Sequence, residues 1–107
     1  MTDDDESAAL VPGPSVPAGA ISNELLITNK RGLHARASAK FVQTVERFSA
    51  EVWVTRGGET VGGTSIMGLM MLAASYGSEV EVCADGPDAS EALKAILALA
   101  DAKFGEE

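Results

Sequence analysis

The sequence has few of the residues that build covalent cross-links or metal sites. Its 107 residues include one cysteine, Cys83, and one histidine, His34. A single cysteine cannot form an internal disulfide, and one Cys with one His cannot supply the three or four nitrogen and sulfur ligands of a typical zinc site. A metal site built from carboxylates alone remains open, but no spacing in the sequence indicates one, and we expect no metal and no cofactor.

Positive charge and long apolar runs are also scarce. The 8 basic residues are outnumbered by 16 acidic ones, and the net charge of −8 repels nucleic acid and anionic lipid. No apolar run approaches the roughly 18 residues that span a bilayer, and Asp3, Asp4, Asp5 and Glu6 stand where a signal peptide has basic residues. We expect a cytoplasmic protein with no nucleic-acid or membrane partner.

The length and composition predict one domain behind a tail. A chain of 107 residues supports a single core, and 46% hydrophobic with 22% charged residues is an ordinary globular balance. Residues 1–21 combine an acidic run with proline and glycine, so burial cannot repay their ordering entropy. We therefore predict a flexible tail over 1–21 and a folded domain over 22–107.

Hydrophobic periodicity predicts the element order β-α-β-β-α-β-α. Asp88, followed by Glu91, is expected to cap the last helix, whose apolar stripe extends to Phe104. The expected fold class is α+β, an open-faced β-sandwich with a four-stranded antiparallel sheet and three helices on one face. The predicted strands are 22–28, 51–55, 59–61 and 79–84, and the predicted helices are 35–48, 65–74 and 89–104.

The segment from Lys30 to Arg36 contains the one histidine, at the junction between a loop and an amphipathic helix. Free amides and the dipole at a helix N-terminus favour an anion, and the guanidinium of Arg36 suits phosphate oxygens. Gly32 lets the chain turn tightly before the ring. Two interpretations of His34 remain open on this evidence: a phosphoryl acceptor, or an N-cap residue in a polar loop.

The motif Gly32-Leu33-His34-Ala35-Arg36, with Ser65 opening a second helix about thirty residues later, resembles the HPr family. These are the histidine-containing phosphocarrier proteins of the bacterial phosphotransferase system, and the similarity covers residues 22–104. The resemblance implies that His34 takes a phosphoryl group on Nδ1 from phospho-enzyme I and passes it to an EIIA-type acceptor. It implies that Arg36 interacts with this phosphate. It also implies that Ser65 is the target of an HPr serine kinase/phosphorylase.

The short helix after Ser65 is rich in methionine, which suits either core packing or an adaptable docking surface. The resemblance places a partner-docking surface beside the histidine and directs Leu69 and Leu72 inward. We call this surface the docking patch; its residues are Ala35, Ile66, Met67 and Met70.

The sequence departs from the family at several positions near the histidine. Ala37 replaces the usual proline, which leaves an additional amide at the helix start. Gln43, Glu46 and Gly68 stand where enteric sugar carriers have lysine, which favours a regulatory, nitrogen-related branch. Such a carrier is a covalent relay without turnover of its own. The alternative is a small-ligand regulatory module with a ferredoxin- or ACT-like core and an incidental histidine.

Strand alternation places Leu26, Trp53 and Cys83 on the sheet face opposite the helices. The resemblance implies that the first, fourth and second strands are adjacent, so Leu26 is expected beside Cys83 and Trp53. A soluble protein rarely leaves a tryptophan-centred apolar patch bare. Our hypothesis is that the apolar tail segment 10–18, or failing that a second molecule, covers it. The alternative is that the patch is tolerated and the tail does not cover it.

Overall fold

The structure is a computed structural model that describes residues 15–106. This part of the chain contains no helix long and apolar enough to cross a bilayer. Its elements follow the predicted order: β1 Ile21–Leu26, α1 Ala35–Val45, β2 Glu51–Arg56, β3 Glu59–Gly62, α2 Ile66–Met71, β4 Glu79–Asp85, α3 Ala89–Asp101 and a final 3₁₀ turn Lys103–Gly105.

The strands form one antiparallel sheet in the order β1-β4-β2-β3. The first, fourth and second strands are therefore neighbours, as expected. The helices pack on one face, with α3 against β1 and β4, and α1 against α2 and α3. The α+β open-faced sandwich is confirmed.

The core fills the space between the helices and the inner sheet face. Alternate strand residues point inward, and α1 and α3 each turn an apolar stripe toward them. The fully buried or nearly buried residues of this layer include Leu25, Ala37, Phe41, Val45, Val52, Val54, Val80, Val82, Ala92, Leu93 and Ile96.

Trp53 and Cys83 form a buried row on the open sheet face, where the sequence predicts them. The register of β1 against β4 differs from the expected one. Trp53 is the Cα partner of Cys83, and Cys83 is the partner of Ser22. The expected place of Leu26 beside Cys83 is wrong, because Leu26 pairs with Glu79 at the other end of β4. Trp53 and Cys83 are only 6% and 7% exposed, although both lie outside the main core.

Of the tail segment 10–18 expected to cover this row, residues 10–14 lie outside the described residues. Among residues 15–20, Val16 is half-buried, and the amide of Ala20 donates to the carbonyl of Pro17, which turns the chain immediately before β1. β1 itself begins at Ile21, one residue inside the predicted tail.

Several acidic side chains also lie on the open face. Two pairs of carboxylates are direct cross-strand partners, Glu24 with Glu81 and Glu51 with Asp85. Like charges directly opposite each other are unfavourable in a sheet. Nothing in the hydrophobic packing requires this arrangement, since these side chains point away from the core.

All three helices end before the predicted positions, and α3 ends at Asp101, with Phe104 in the following 3₁₀ turn. α1 ends at Val45, and Phe48 then donates its amide to the Val45 carbonyl in a tighter turn while still packing against the core. α2 ends at Met71, because Ala73 takes a left-handed conformation with φ of 55°. Apolar spacing continues beyond these ends, so periodicity alone could not locate them.

The prediction for the start of α3 is confirmed in position and wrong in its hydrogen bond. Asp88 is the N-cap residue, but its side chain makes no capping hydrogen bond. Its Oδ2 instead accepts from the amide of Ser49 at 2.8 Å, so that it joins the helix start to the loop before β2.

Candidate functional site

The loop before α1 is held in place by a glycine with a left-handed backbone. Gly32 has φ of +65°, and a Cβ there would come within 2.9 Å of the Ser75 Cα. The loop therefore lies directly against the segment after α2. An alanine at this position would be strained and would clash with backbone.

Three further hydrogen bonds fix the same loop. The Leu33 amide donates to the Ala74 carbonyl at 2.9 Å, and the Ser38 Oγ donates to the Leu33 carbonyl at 3.2 Å. The Nδ2 of Asn29 donates to the Gly32 carbonyl at 2.8 Å. The histidine that follows is consequently presented from a rigid support.

His34 is the N-cap residue of α1, with an extended backbone (φ −77°, ψ −176°). Its Nδ1 accepts a hydrogen bond from the Arg36 amide at 3.2 Å. In a neutral ring that accepts at Nδ1, the proton is on Nε2. The Nδ1 lone pair therefore points at the helix N-terminus, where an electrophile bound among the amides would meet it.

The first turn of α1 suits an anion. Its amides have no partners within the helix, and the dipole adds a partial positive charge. The turn has no acidic residue, and Arg36 is exposed. Ala37, which replaces the family's proline, keeps an N–H that proline lacks.

A small cavity of about 60 Å³ opens at the histidine. It is much smaller than the roughly 300–1,000 Å³ of a typical small-molecule pocket. A phosphoryl-sized group fits this description better than a metabolite does. The cavity is lined by Arg31, His34, Arg36, Lys40, Phe104, Gly105 and Glu106.

The C-terminal end of the described chain closes one side of this cavity. Lys40 Nζ donates to the Phe104 carbonyl at 2.9 Å, and Asn29 Nδ2 donates to Glu106 Oε1 at 2.8 Å. The sequence analysis did not identify Lys40 or Glu106 as site residues. The spacing of Arg36 and Lys40 on α1 was a usable signal, whereas nothing in the sequence connects Glu106 with Asn29, 77 positions away.

Ser65 is the N-cap residue of α2, and its Oγ accepts from the Gly68 amide at 2.9 Å. The side chain is exposed. The neighbouring Arg56 Nη1 donates to the Leu72 carbonyl at 3.0 Å, which ties the end of α2 to β2. α2 is therefore anchored to the sheet and packs against α1.

The docking patch is solvent-exposed throughout. Ile66, Met67 and Met70 are 41%, 69% and 40% exposed, and Ala35 is exposed at the start of α1. Core packing of these methionines is therefore wrong. Leu69 and Leu72 point inward, as expected, at 0% and 3% exposure.

Comparison with known proteins agrees with this architecture. Residues 21–102 match the family described as "PTS HPr component phosphorylation site". The phosphocarrier protein HPr of Neisseria meningitidis serogroup A is 51% identical over 86 residues, which cover 80% of this chain and 97% of that protein. The phosphocarrier protein NPr of Shewanella violacea is 40% identical over 86 residues, 80% of this chain and 94% of that protein.

Solved structures give the same result. The crystal structure of HPr from Thermoanaerobacter tengcongensis is 46% identical and superposes with a TM-score of 0.78, covering 81% of this chain and 98% of that one. The fold and these similarities thus define the class as the phosphocarrier proteins of the bacterial phosphotransferase system. The chain belongs to the HPr family.

Proposed function

We propose that the protein accepts a phosphoryl group on His34 from phospho-enzyme I and passes it to an EIIA-type acceptor. The observation that carries this proposal is the hydrogen bond from the Arg36 amide to His34 Nδ1, which directs that nitrogen's lone pair into the first turn of α1. The relatives named phosphocarrier proteins support it.

In the transfer step the Nδ1 lone pair attacks phosphorus. The Nδ1–P bond forms while the bond between phosphorus and the donor breaks, and the donor keeps that electron pair. The Arg36 amide then donates to a phosphoryl oxygen instead of to Nδ1, and the Arg36 guanidinium adds a charged donor fork. The rigid loop keeps the reorganisation small.

The direct test is labelling with radioactive phosphoenolpyruvate and enzyme I. The protein should acquire an acid-labile phosphate, and His34→Ala should abolish the label while leaving the thermal unfolding curve intact. Arg36→Ala should slow transfer without abolishing it, because the backbone amides remain. Undiminished labelling of His34→Ala contradicts the proposed acceptor, and an unchanged rate for Arg36→Ala contradicts the role of the guanidinium.

We also propose that the carrier is cytoplasmic and serves a regulatory phosphotransferase system. The support is the charge around α1 and α2, where Gln43, Glu46 and Gly68 replace lysines of enteric sugar carriers. A regulatory EIIA of the nitrogen-related type should accept phosphate from the protein faster than a sugar-specific EIIA does. A faster sugar-specific acceptor would contradict this assignment.

Ser65 is proposed as a regulatory phosphosite that acts through charge. A phosphate adds about −1.5 to −2 charge at pH 7, beside the exposed docking patch on which enzyme I is proposed to bind. Ser65→Asp should therefore raise the apparent KM for the carrier in the enzyme I reaction. Ser90→Asp, at an exposed position on α3, is the matched control. Equal kinetics for the two variants would contradict the proposal.

A further inference from the structure

We propose that Lys40 is a phosphoryl-binding residue that contacts the group carried by His34. This inference rests on the proposed function, since it concerns the same histidine. Lys40 lies outside the motif that defines the family site, and the structure places it on the wall of the same cavity.

The geometry of α1 brings the Lys40 side chain back toward the histidine. Lys40 is four residues after Arg36, so the two side chains lie on one face of the helix. Long helical side chains lean toward the helix N-terminus, which here is His34. Both basic side chains consequently reach the cavity that His34 also lines.

The described residues around the cavity carry more positive than negative side chains. Three basic residues, Arg31, Arg36 and Lys40, line it, and Glu106 is the one acidic residue among the described lining residues. Like charges four residues apart destabilise a helix, so the Arg36–Lys40 spacing is unfavourable without a counter-charge. A phosphoryl group carrying about −1.5 to −2 charge would reverse the sign of that interaction.

The present partner of Lys40 leaves it able to bind a phosphate oxygen. Its Nζ donates to a neutral carbonyl, that of Phe104, and an ammonium has three donors. The carboxylate of Glu106 is instead bound by the Asn29 amide. Lys40 can thus keep the Phe104 bond, which holds its flexible stem in place, while a second N–H donates to phosphate.

The test measures the phosphoryl group itself. His34, the one histidine, is phosphorylated with phosphoramidate in the full chain, and the second ionisation of the phosphoryl group is followed by phosphorus NMR against pH. A nearby cation stabilises the dianion and lowers that pKa. Lys40→Gln should raise it by about 0.7, the equivalent of one Coulomb contact at about 4 Å in water, and Lys40→Arg should restore the wild-type value.

Two features separate this role from a structural one. Glutamine can still donate to the Phe104 carbonyl, so a merely structural lysine would give no shift in Lys40→Gln. Lys94→Gln removes a charge from the exposed side of α3 and should leave the phosphoryl pKa unchanged. An unshifted pKa in Lys40→Gln, or an equal shift in Lys94→Gln, overturns the proposal.

Phosphorylation with phosphoramidate also distinguishes a failure of the Lys40 proposal from a failure of the proposed phosphocarrier function. Phosphoramidate phosphorylates histidine without enzyme I. If phosphoramidate phosphorylates the protein and phospho-enzyme I does not, only the proposed donor is contradicted. A wild-type chain that gives no phosphohistidine signal with phosphoramidate would contradict the role of Lys40 as well, because His34 would then carry no group for it to bind.

Discussion

Asn29 joins two distant parts of the site through one amide group. Its Nδ2 donates both to the Gly32 carbonyl in the histidine loop and to Glu106 at the C-terminal end, each at 2.8 Å. The side chain is 1% exposed, and its Oδ1 has no partner among the described residues. A buried polar group with one unpaired atom is retained at a cost, so the two bonds it does make must stabilise the fold by more.

We expect Asn29→Ala to lower the free energy of unfolding by about 1–3 kcal/mol, because it removes the two hydrogen bonds of a buried side chain. The Gly32 carbonyl keeps one donor, the amide of His34. Urea unfolding followed by circular dichroism measures the change. Asn23→Ala, at an exposed position of β1, is the control and should have a much smaller effect. Equal losses for the two variants would contradict the role given to Asn29.

Cys83 makes the stability of the folded protein depend on pH in the alkaline range. Burial, together with the nearby Glu81 carboxylate, raises the pKa of this thiol. The folded state therefore holds the proton at pH values where the unfolded chain has lost it. This contribution to stability is present below the ordinary thiol pKa and is lost as pH rises toward the higher folded value.

The corresponding measurement compares wild type with Cys83→Ala in urea at several pH values. We expect the difference in unfolding free energy between them to move in favour of the alanine variant as pH rises above the ordinary thiol range. Alkylation of the folded wild-type protein should also be slow until that range is passed. A pH-independent difference, with thiol reactivity like that of a free cysteine, would rule this out.

At the scale of elements, the hairpin between β2 and β3 depends on its two glycines. Gly57 and Gly58 have φ of +61° and +83°, the left-handed conformations of a tight two-residue turn. No atom of residues 15–106 lies within 4 Å of a Cβ built at either position, so the expected cost of substitution comes from the backbone.

Gly58→Ala should destabilise the protein by about 1–2 kcal/mol, measured by thermal or urea unfolding. Gly58→Asn should cost less, since asparagine tolerates this conformation. Gly19→Ala is the matched control, because Gly19 is equally open but has no left-handed backbone. A loss as large at Gly19 as at Gly58 would contradict the assignment to turn geometry.

Element types and order were predictable because each depends on local residue pattern. The Gly57-Gly58 turn and the alternation around Val52 and Val54 are signals contained in a few residues. The end of α2 and the partner of Asp88 depend instead on contacts with other segments. Asp88 has the residue type of a cap, but the Ser49 amide, 39 positions away, takes its carboxylate.

The residues of the site also divide into those that a local sequence pattern identifies and those that depend on contacts between distant segments. His34 and Arg36 stand in one contiguous motif and could be recognised there. Glu106 reaches the site only through the packing of the C-terminal turn, in which Phe104 is buried. Sequence separation therefore explains why Glu106 could not be found in advance, whereas Lys40, four residues after Arg36, offered a local signal.

At the scale of the whole molecule, the burial of Trp53 requires an explanation that the sheet alone does not provide. Its neighbours along the row, Ser22, Cys83 and Gly62, are too small to cover an indole. The turn before β1 and the half-buried Val16 favour coverage by the N-terminal segment. Because Trp53 is the one tryptophan, its emission reports directly on this surface.

Deletion of residues 1–20 should therefore shift Trp53 emission to the red, increase its quenching by acrylamide and accelerate alkylation of Cys83. Deletion of residues 1–7, which removes the acidic run but keeps the apolar segments, is the control and should leave all three unchanged. An unaltered spectrum in a monomeric 21–107 chain would show that the segment does not cover the row.

The distribution of charge makes the molecule an electric dipole. Four of its 8 basic residues, Lys30, Arg31, Arg36 and Lys40, lie within eleven positions around the histidine, while carboxylates line the open sheet face. With a net charge of −8, the carrier as a whole repels an acidic partner and only its basic end attracts one. The electric field thus turns the basic end of the carrier toward an acidic partner before the two proteins touch. Added salt screens this field and should therefore slow their productive association.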